Sequence, residues 1–122
     1  MAIRETGKVN ENLEPIITIQ FANGAEIDCV VDTGFNGTLF LPRDFIRRND
    51  FTVIGEESFH SVGQDEAQVA EVFSATVKWL GDELEVGIIV SEFGSALIGA
   101  EMMIHAKLEI DYAQSTVFIE KV

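Results

Sequence analysis

Two apolar, β-branched runs flank Asn23-Gly24: Pro15-Ile16-Ile17-Thr18-Ile19-Gln20-Phe21 before it and Ala25-Glu26-Ile27-Asp28-Cys29-Val30-Val31 after it. Asn-Gly between such runs is the strongest short-range hairpin signal, because both residues accept the left-handed backbone that a tight turn between twisted strands requires. A strand that starts this way must pair locally and bury one face. The second run ends on a carboxylate, Asp32, and the small polar and glycine residues after it, in Thr33-Gly34-Phe35-Asn36-Gly37-Thr38, favour a turn over a continued strand. A buried strand therefore delivers Asp32 to a rigid turn.

The rest of the chain repeats this grammar. Thr38-Leu39-Phe40-Leu41 is a short strand closed by Pro42, and Arg43 to Arg48 has room for one or two helical turns. Glu56 to Val62 and Ala67 to Leu80 flank the polar tip Gly63-Gln64-Asp65-Glu66, and the second arm is too long to pair only with the first. In that arm Phe73, Ala75, Val77 and Trp79 alternate with Ser74, Thr76 and Lys78, the period of a half-buried strand. Gly81-Asp82 turns the chain into Glu83 to Val90. Ala96 to Gly99 reads as a strand, Ala100 to Ala106 as a short helix, and Lys107 to Tyr112 and Ser115 to Val122 as closing strands. Many strands and one or two short helices predict an all-β, small, closed structure. Residues 1–122 are expected to form a single domain, with residues 1–12 a loose or edge segment.

Composition narrows the partners. Apolar residues make up 47% of the 122, which supports a folded body despite a formal net charge of −13. Such acidity disfavours nucleic acid and anionic membranes and favours basic or neutral partners, while it opposes self-association except through an apolar or charge-matched contact. The one cysteine, Cys29, excludes a disulfide framework and sits where a small buried hydrophobe belongs. No stretch approaches the roughly 20 apolar residues of a membrane span, and the amino terminus lacks the apolar region of a signal peptide, so the cytoplasm is the expected location. His60 and His105 have no cysteine or second histidine at metal spacing, so no metal and no cofactor are expected. Leu97-Ile98-Gly99 lacks the Lys and Ser/Thr of a phosphate loop.

Asp32-Thr33-Gly34 seen alone reads first as an Asx-type turn, with the carboxylate capping backbone amides and Gly34 taking a conformation other residues avoid. Its surroundings favour more. The hairpin into Val31-Asp32-Thr33-Gly34, a glycine-bearing hairpin around Gly63, and the downstream apolar-apolar-Gly of Leu97-Ile98-Gly99 occur in an order that resembles the single-lobed, retroviral-type (retropepsin-like) aspartic proteases and their bacterial and archaeal relatives. The resemblance spans roughly Pro15 to Phe118. It implies a small closed β-barrel of the retropepsin-like type acting as a homodimer, because two carboxylates must share a proton and this chain has Asp-Thr-Gly once.

The resemblance implies Asp32 as the catalytic carboxylate, Thr33 and Gly34 as its support, Val62, Gly63 and Gln64 as a flap over an extended peptide, and Leu97, Ile98 and Gly99 as packing behind the catalytic loop. The expected activity is peptide-bond hydrolysis by an activated water, with Phe35, Leu39 and Ile98 as apolar walls of the cleft. Two departures stand out. Phe35 replaces the small residue common after the triplet, and Ala100-Glu101 replace the Arg and Asp or Asn that retroviral members carry after the downstream glycine. Ala100, Glu101 and the strong self-repulsion of the acidic chain motivate the alternative of a protease-like peptide-binding or scaffold domain without cleavage.

Overall fold

A computed structural model of the chain describes residues 2–59 and 68–122. Its strands are β1 (Arg4–Val9), β2 (Pro15–Phe21), β3 (Glu26–Val31), β4 (Leu39–Pro42), β5 (Thr52–Phe59), β6 (Gln68–Trp79), β7 (Asp82–Ser91), β8 (Leu97–Ile98), β9 (Ala106–Asp111) and β10 (Thr116–Lys121). One short α-helix, α1 (Arg43–Arg48), follows β4, and a 3-10 turn spans Ala100–Met103. All ten strands belong to one sheet in the order β5-β6-β7-β4-β8-β3-β2-β1-β10-β9.

The long arm is what closes the sheet on itself. Toward its start β6 pairs with β5, from Phe59↔Gln68 to Thr52↔Ser74, and β7 pairs with it from Val72↔Ile89 to Trp79↔Asp82. Beyond the end of β5, β2 takes its place through Phe21↔Val77 and Gln20↔Lys78. The circuit β6-β7-β4-β8-β3-β2 is thereby complete. A sheet so closed has few open edges and one enclosed interior.

Strand alternation fills that interior. In β2, Ile17, Ile19 and Phe21 point inward; Leu39 and Leu41 do so in β4, and Val77 and Trp79 in β6, all essentially without solvent exposure. Phe45 and Ile46 of α1 join them, and Phe21, Phe45 and Phe51 stack obliquely with ring centroids 5.1–6.1 Å apart. The Trp79 indole N–H donates to the Met102 carbonyl at 2.9 Å, tying the 3-10 turn to β6.

Several expectations need amendment. Residues 4–9 form an ordered strand along β10 that also meets β2 through Lys8↔Ile16 and Val9↔Pro15, so the amino-terminal segment is neither loose nor confined to one neighbour. Gly7 permits this approach, since a Cβ there would overlap the Ile16 carbonyl. The helix expected over Ala100 to Ala106 is cut to four residues: Ile104 is extended, His105 adopts φ 64°, and the His105 carbonyl accepts the Val122 N–H instead. The hairpin forms at Asn23-Gly24, but only Gly24 is left-handed, at φ 92°: the Gly24 N–H donates to the Phe21 carbonyl, and the Asn23 Oδ1 accepts the Ala25 N–H. The tip bearing Val62, Gly63 and Gln64 lies outside the described residues.

Candidate active site

The turn after β3 is held by a strand of only two residues. β8 lies between β3, which it joins in parallel through Val30↔Leu97 and Val31↔Ile98, and β4, which it joins antiparallel through Leu39↔Ile98 and Phe40↔Leu97. The hydrogen bonds then continue past the strands. Asp32 N–H donates to Ile98 O at 2.9 Å, Gly99 N–H to Thr38 O at 2.7 Å, Ala100 N–H to Phe35 O at 2.8 Å and Glu101 N–H to Gly37 O at 3.2 Å. Almost every residue from Leu97 to Glu101 is thus bonded to the loop that begins at Asp32, which leaves that loop little freedom. Thr38 secures the far end by donating its hydroxyl to the Gly87 carbonyl.

Gly99 allows the two segments to touch. A Cβ at this position would fall on the Gly37 carbonyl, 2.7 Å from its carbon, and 2.7 Å from Phe35 Cδ2. Gly37 likewise leaves room for the Phe35 ring, whose Cζ would lie 2.6 Å from an added Cβ. The bulky Phe35 is accommodated by the absence of side chains at Gly37 and Gly99, and its ring centroid lies 5.8 Å from that of Phe40.

Asp32 is half-buried, whereas Thr33 and Gly34 are exposed. Its Oδ1 accepts the Gly34 N–H at 2.9 Å, the Asx turn read from the sequence. The reason for glycine differs from expectation. Gly34 has no positive φ; a Cβ there would crowd the Asp32 Oδ1 at 3.2 Å, so glycine gives the carboxylate space rather than a special backbone conformation. The chain places Asp32, Thr33, Gly34, Leu97, Ile98 and Gly99 together in one unit. Among the described residues no group of histidines, cysteines and carboxylates is arranged to hold a metal ion.

Two expected cleft walls are absent from the surface. Leu39 and Ile98 are fully buried on the interior face and belong to the core. Phe40, between the buried Leu39 and Leu41, faces the other way and lines a cleft of about 290 Å³ with Arg43, Val69, Ala70, Glu71, Val90 and Glu92. Strand alternation in Leu39-Phe40-Leu41 carried that signal. Arg43 spans the cleft, 2.6 Å from Glu92 and 3.1 Å from Glu71, and these two carboxylates, Glu92 foremost, hold its guanidinium firmly charged. Cys29 is buried next to the turn, and burial, with the nearby Asp28 charge, pushes its thiol up to about 12. Asp28 itself faces outward and accepts the Thr18 hydroxyl at 2.5 Å.

The fold recurs in known structures. A retropepsin-like aspartic protease from Rickettsia conorii superposes with a TM-score of 0.67 over 99% of this chain and 93% of its own, at 15% identity. The fold is retropepsin-like. The retropepsin-like EIAV protease, solved with the inhibitor HBY-793, matches with a TM-score of 0.58 at 16% identity, over 78% of this chain and 89% of its own. A foamy viral protease-reverse transcriptase in complex with RNA/DNA hybrid matches at 20% identity and a TM-score of 0.57 over 80% of this chain, which spans only 13% of that protein's length. No protein-family model and no curated protein sequence matches the chain. No helix among the described residues is long and apolar enough to cross a membrane.

Proposed function

We propose that this chain is an aspartic endopeptidase that works as a homodimer on extended peptide segments. The carrying observation is Asp32: a half-exposed carboxylate on a turn immobilised by β8 and Gly99, in a retropepsin-like fold whose sequence contains Asp-Thr-Gly once. Two copies meeting at this turn would bring two carboxylates close enough to share a proton, since like charges at short range do not both ionise. The ionised Asp32 would take a proton from water as it attacks the scissile carbonyl carbon, while the protonated partner donates to the carbonyl oxygen. The tetrahedral intermediate then collapses as the amine leaves with a proton, and no covalent enzyme intermediate forms.

The exposed Thr33 is suited to bond the other copy's loop, and Gly34 keeps backbone close to the carboxylate. The flap role of Val62, Gly63 and Gln64 rests on the sequence pattern. Phe40 and Phe35 offer an apolar surface beside the turn, and the net charge of −13 favours substrates with basic flanks. One buried cysteine suits a reducing compartment, the cytoplasm.

A diverse peptide library, screened from acidic to neutral pH with the wild type and Asp32→Ala, tests this reading. Cleavage that disappears in the variant supports the protease. Peptide binding by both proteins without cleavage by either supports the scaffold alternative, which the exposed Glu101 beside the turn motivates. Cleavage undiminished in a purified Asp32→Ala protein would sink the assignment.

A further inference from the structure

We propose that the cavity between the β6–β7 turn and the 3-10 turn is a second binding site, which takes the arginine side chain of a peptide whose neighbouring residues are apolar. The site goes beyond the protease reading and does not depend on it, since none of Asp32, Thr33 or Gly34 lines it. Its volume is about 390 Å³, against about 290 Å³ for the cleft beside Phe40. That is room for one long side chain and part of its neighbours.

The lining is apolar, and the chain departs from ordinary turn chemistry to make it so. Trp79, Leu80, Val86 and Met102 line the cavity with buried side chains. Leu80 and Gly81 join Trp79 to its β7 partner Asp82 with φ 50° and 85°, a two-residue turn in which both residues are left-handed. Such turns favour Asn or Asp at the first place, because an apolar side chain on a left-handed backbone is strained. Leucine there gives the cavity an apolar wall instead. The wall is also fixed in place: the Trp79 indole donates to the Met102 carbonyl, and the Leu80 N–H donates to the Glu5 carboxylate at 2.9 Å. Leu84 and Ile104, 39% and 62% exposed, add apolar surface where solvent reaches the cavity.

Charge selects the occupant. Asp82 and Lys121 also line the cavity and neutralise each other at 3.1 Å. Glu85 and Glu101 are left over: Glu85 accepts the Ser74 hydroxyl at 3.0 Å, and among the described residues neither carboxylate has a cationic partner. With His105 neutral, two uncompensated negative charges stand over an apolar lining. An inorganic cation would gain nothing from that lining, and an apolar ligand would strip water from the carboxylates without pairing them. Arginine meets both demands, because its stem covers apolar surface while its guanidinium fork donates to carboxylates. Apolar residues beside it have Leu84 and Ile104 to rest on.

The probe is acetyl-Leu-Arg-Leu-amide, with the citrulline analogue, which keeps the shape and loses the charge, as its counterpart. Both are titrated into the Asp32→Ala protein, so that cleavage cannot complicate the reading, while the heat of binding and the emission of Trp79, the sole tryptophan, are recorded. The arginine peptide should bind saturably, change the emission, and hold about tenfold or more tighter than the citrulline peptide. Adding Glu85→Gln and Glu101→Gln together should weaken it by about tenfold or more. Glu11→Gln with Glu26→Gln removes the same net charge from exposed positions outside the cavity and should leave binding as it was. Absence of both heat and emission change, equal affinity for the two peptides, or equal effects of the two variant pairs would each overturn the proposal. So would emission that shifts with protein concentration alone while neither peptide alters it, which would give the cavity to a second copy. The peptide comparison needs no change in the cavity, so it decides the charge requirement even where circular dichroism shows a variant unfolded. None of these outcomes touches the protease reading.

Discussion

Gly99→Ala should be among the most damaging single-methyl additions to this protein. Gly99 has φ −89° and ψ 170°, an extended backbone open to alanine, so conformational strain contributes nothing and the cost is steric. The added Cβ would meet the Gly37 carbonyl and the Phe35 ring. A ring can turn, but a backbone carbonyl cannot move without disturbing the Glu101 N–H that it accepts at 3.2 Å and the Gly99 N–H to Thr38 O bond of 2.7 Å nearby. The cost therefore belongs at the upper end of overpacking, about 3 kcal/mol. With a urea slope of roughly 2 kcal/mol/M for a chain of this size, the unfolding midpoint should fall by about 1.5 M. Gly94→Ala is the control: φ there is 78° with nothing within 4 Å of an added Cβ, so only backbone strain of about 1 kcal/mol is expected. Both are measured by urea titration at one protein concentration, because association would shift the midpoint. If Gly99→Ala costs no more than Gly94→Ala, the crowding argument is refuted.

Trp79→Phe removes the donor to the Met102 carbonyl and should destabilise by about 1–3 kcal/mol in the same titration, chiefly from leaving that acceptor unpaired. Cys29, its thiol pushed up to about 12, should resist alkylation at pH 8 in the folded protein and react once denatured. Because its folded value is raised, the stability it contributes is complete below the unfolded cysteine value of about 8.5 and is lost as pH rises toward 12, a decline Cys29→Ala should lack when unfolding is followed against pH. Glu120 has the opposite sign: the Arg4 guanidinium 2.8 Å away lowers its value, so the stability it adds is present above the unfolded glutamate value and lost as pH falls through the folded one. Glu120→Gln should therefore differ from the wild type at pH 7 and converge with it in acid; a gap that widens in acid would contradict this sign.

Much of the sheet was legible because its strands obey period two and its turns are chemically explicit. Pro15–Phe21 and Arg43–Arg48 have the bounds their residues suggest, and the hairpin signalled by Asn23-Gly24 forms there. The site was legible to the extent that Asp32, Gly34 and Leu97-Ile98-Gly99 carry a local signal, and their meeting follows the order of features. What escaped was set by pairing at a distance. The amino-terminal strand is polar, and only its partners β10 and β2 organise it. The helix after Gly99 stops early because Val122 takes the His105 carbonyl and His105 turns left-handed, neither of which is written in residues 100–106. Leu39 and Ile98 belong to the core rather than the cleft because residues adjacent to the Asp32 turn can still point inward, and Phe40 escapes notice for the converse reason.

The two-residue strand β8 also fixes when the acid turn can exist. Val30 must pair with Leu97 and Asp32 with Ile98, contacts between the first third of the chain and its last third. Closing so large a loop is slow and unfavourable until many other pairings are in place. During synthesis Asp32 leaves the ribosome long before Gly99, so a nascent or truncated chain has the residue but lacks the scaffold that aims it. On the protease reading proposed above, the chain carries no working site until residues 97–101 have been made and have paired with the Asp32 turn.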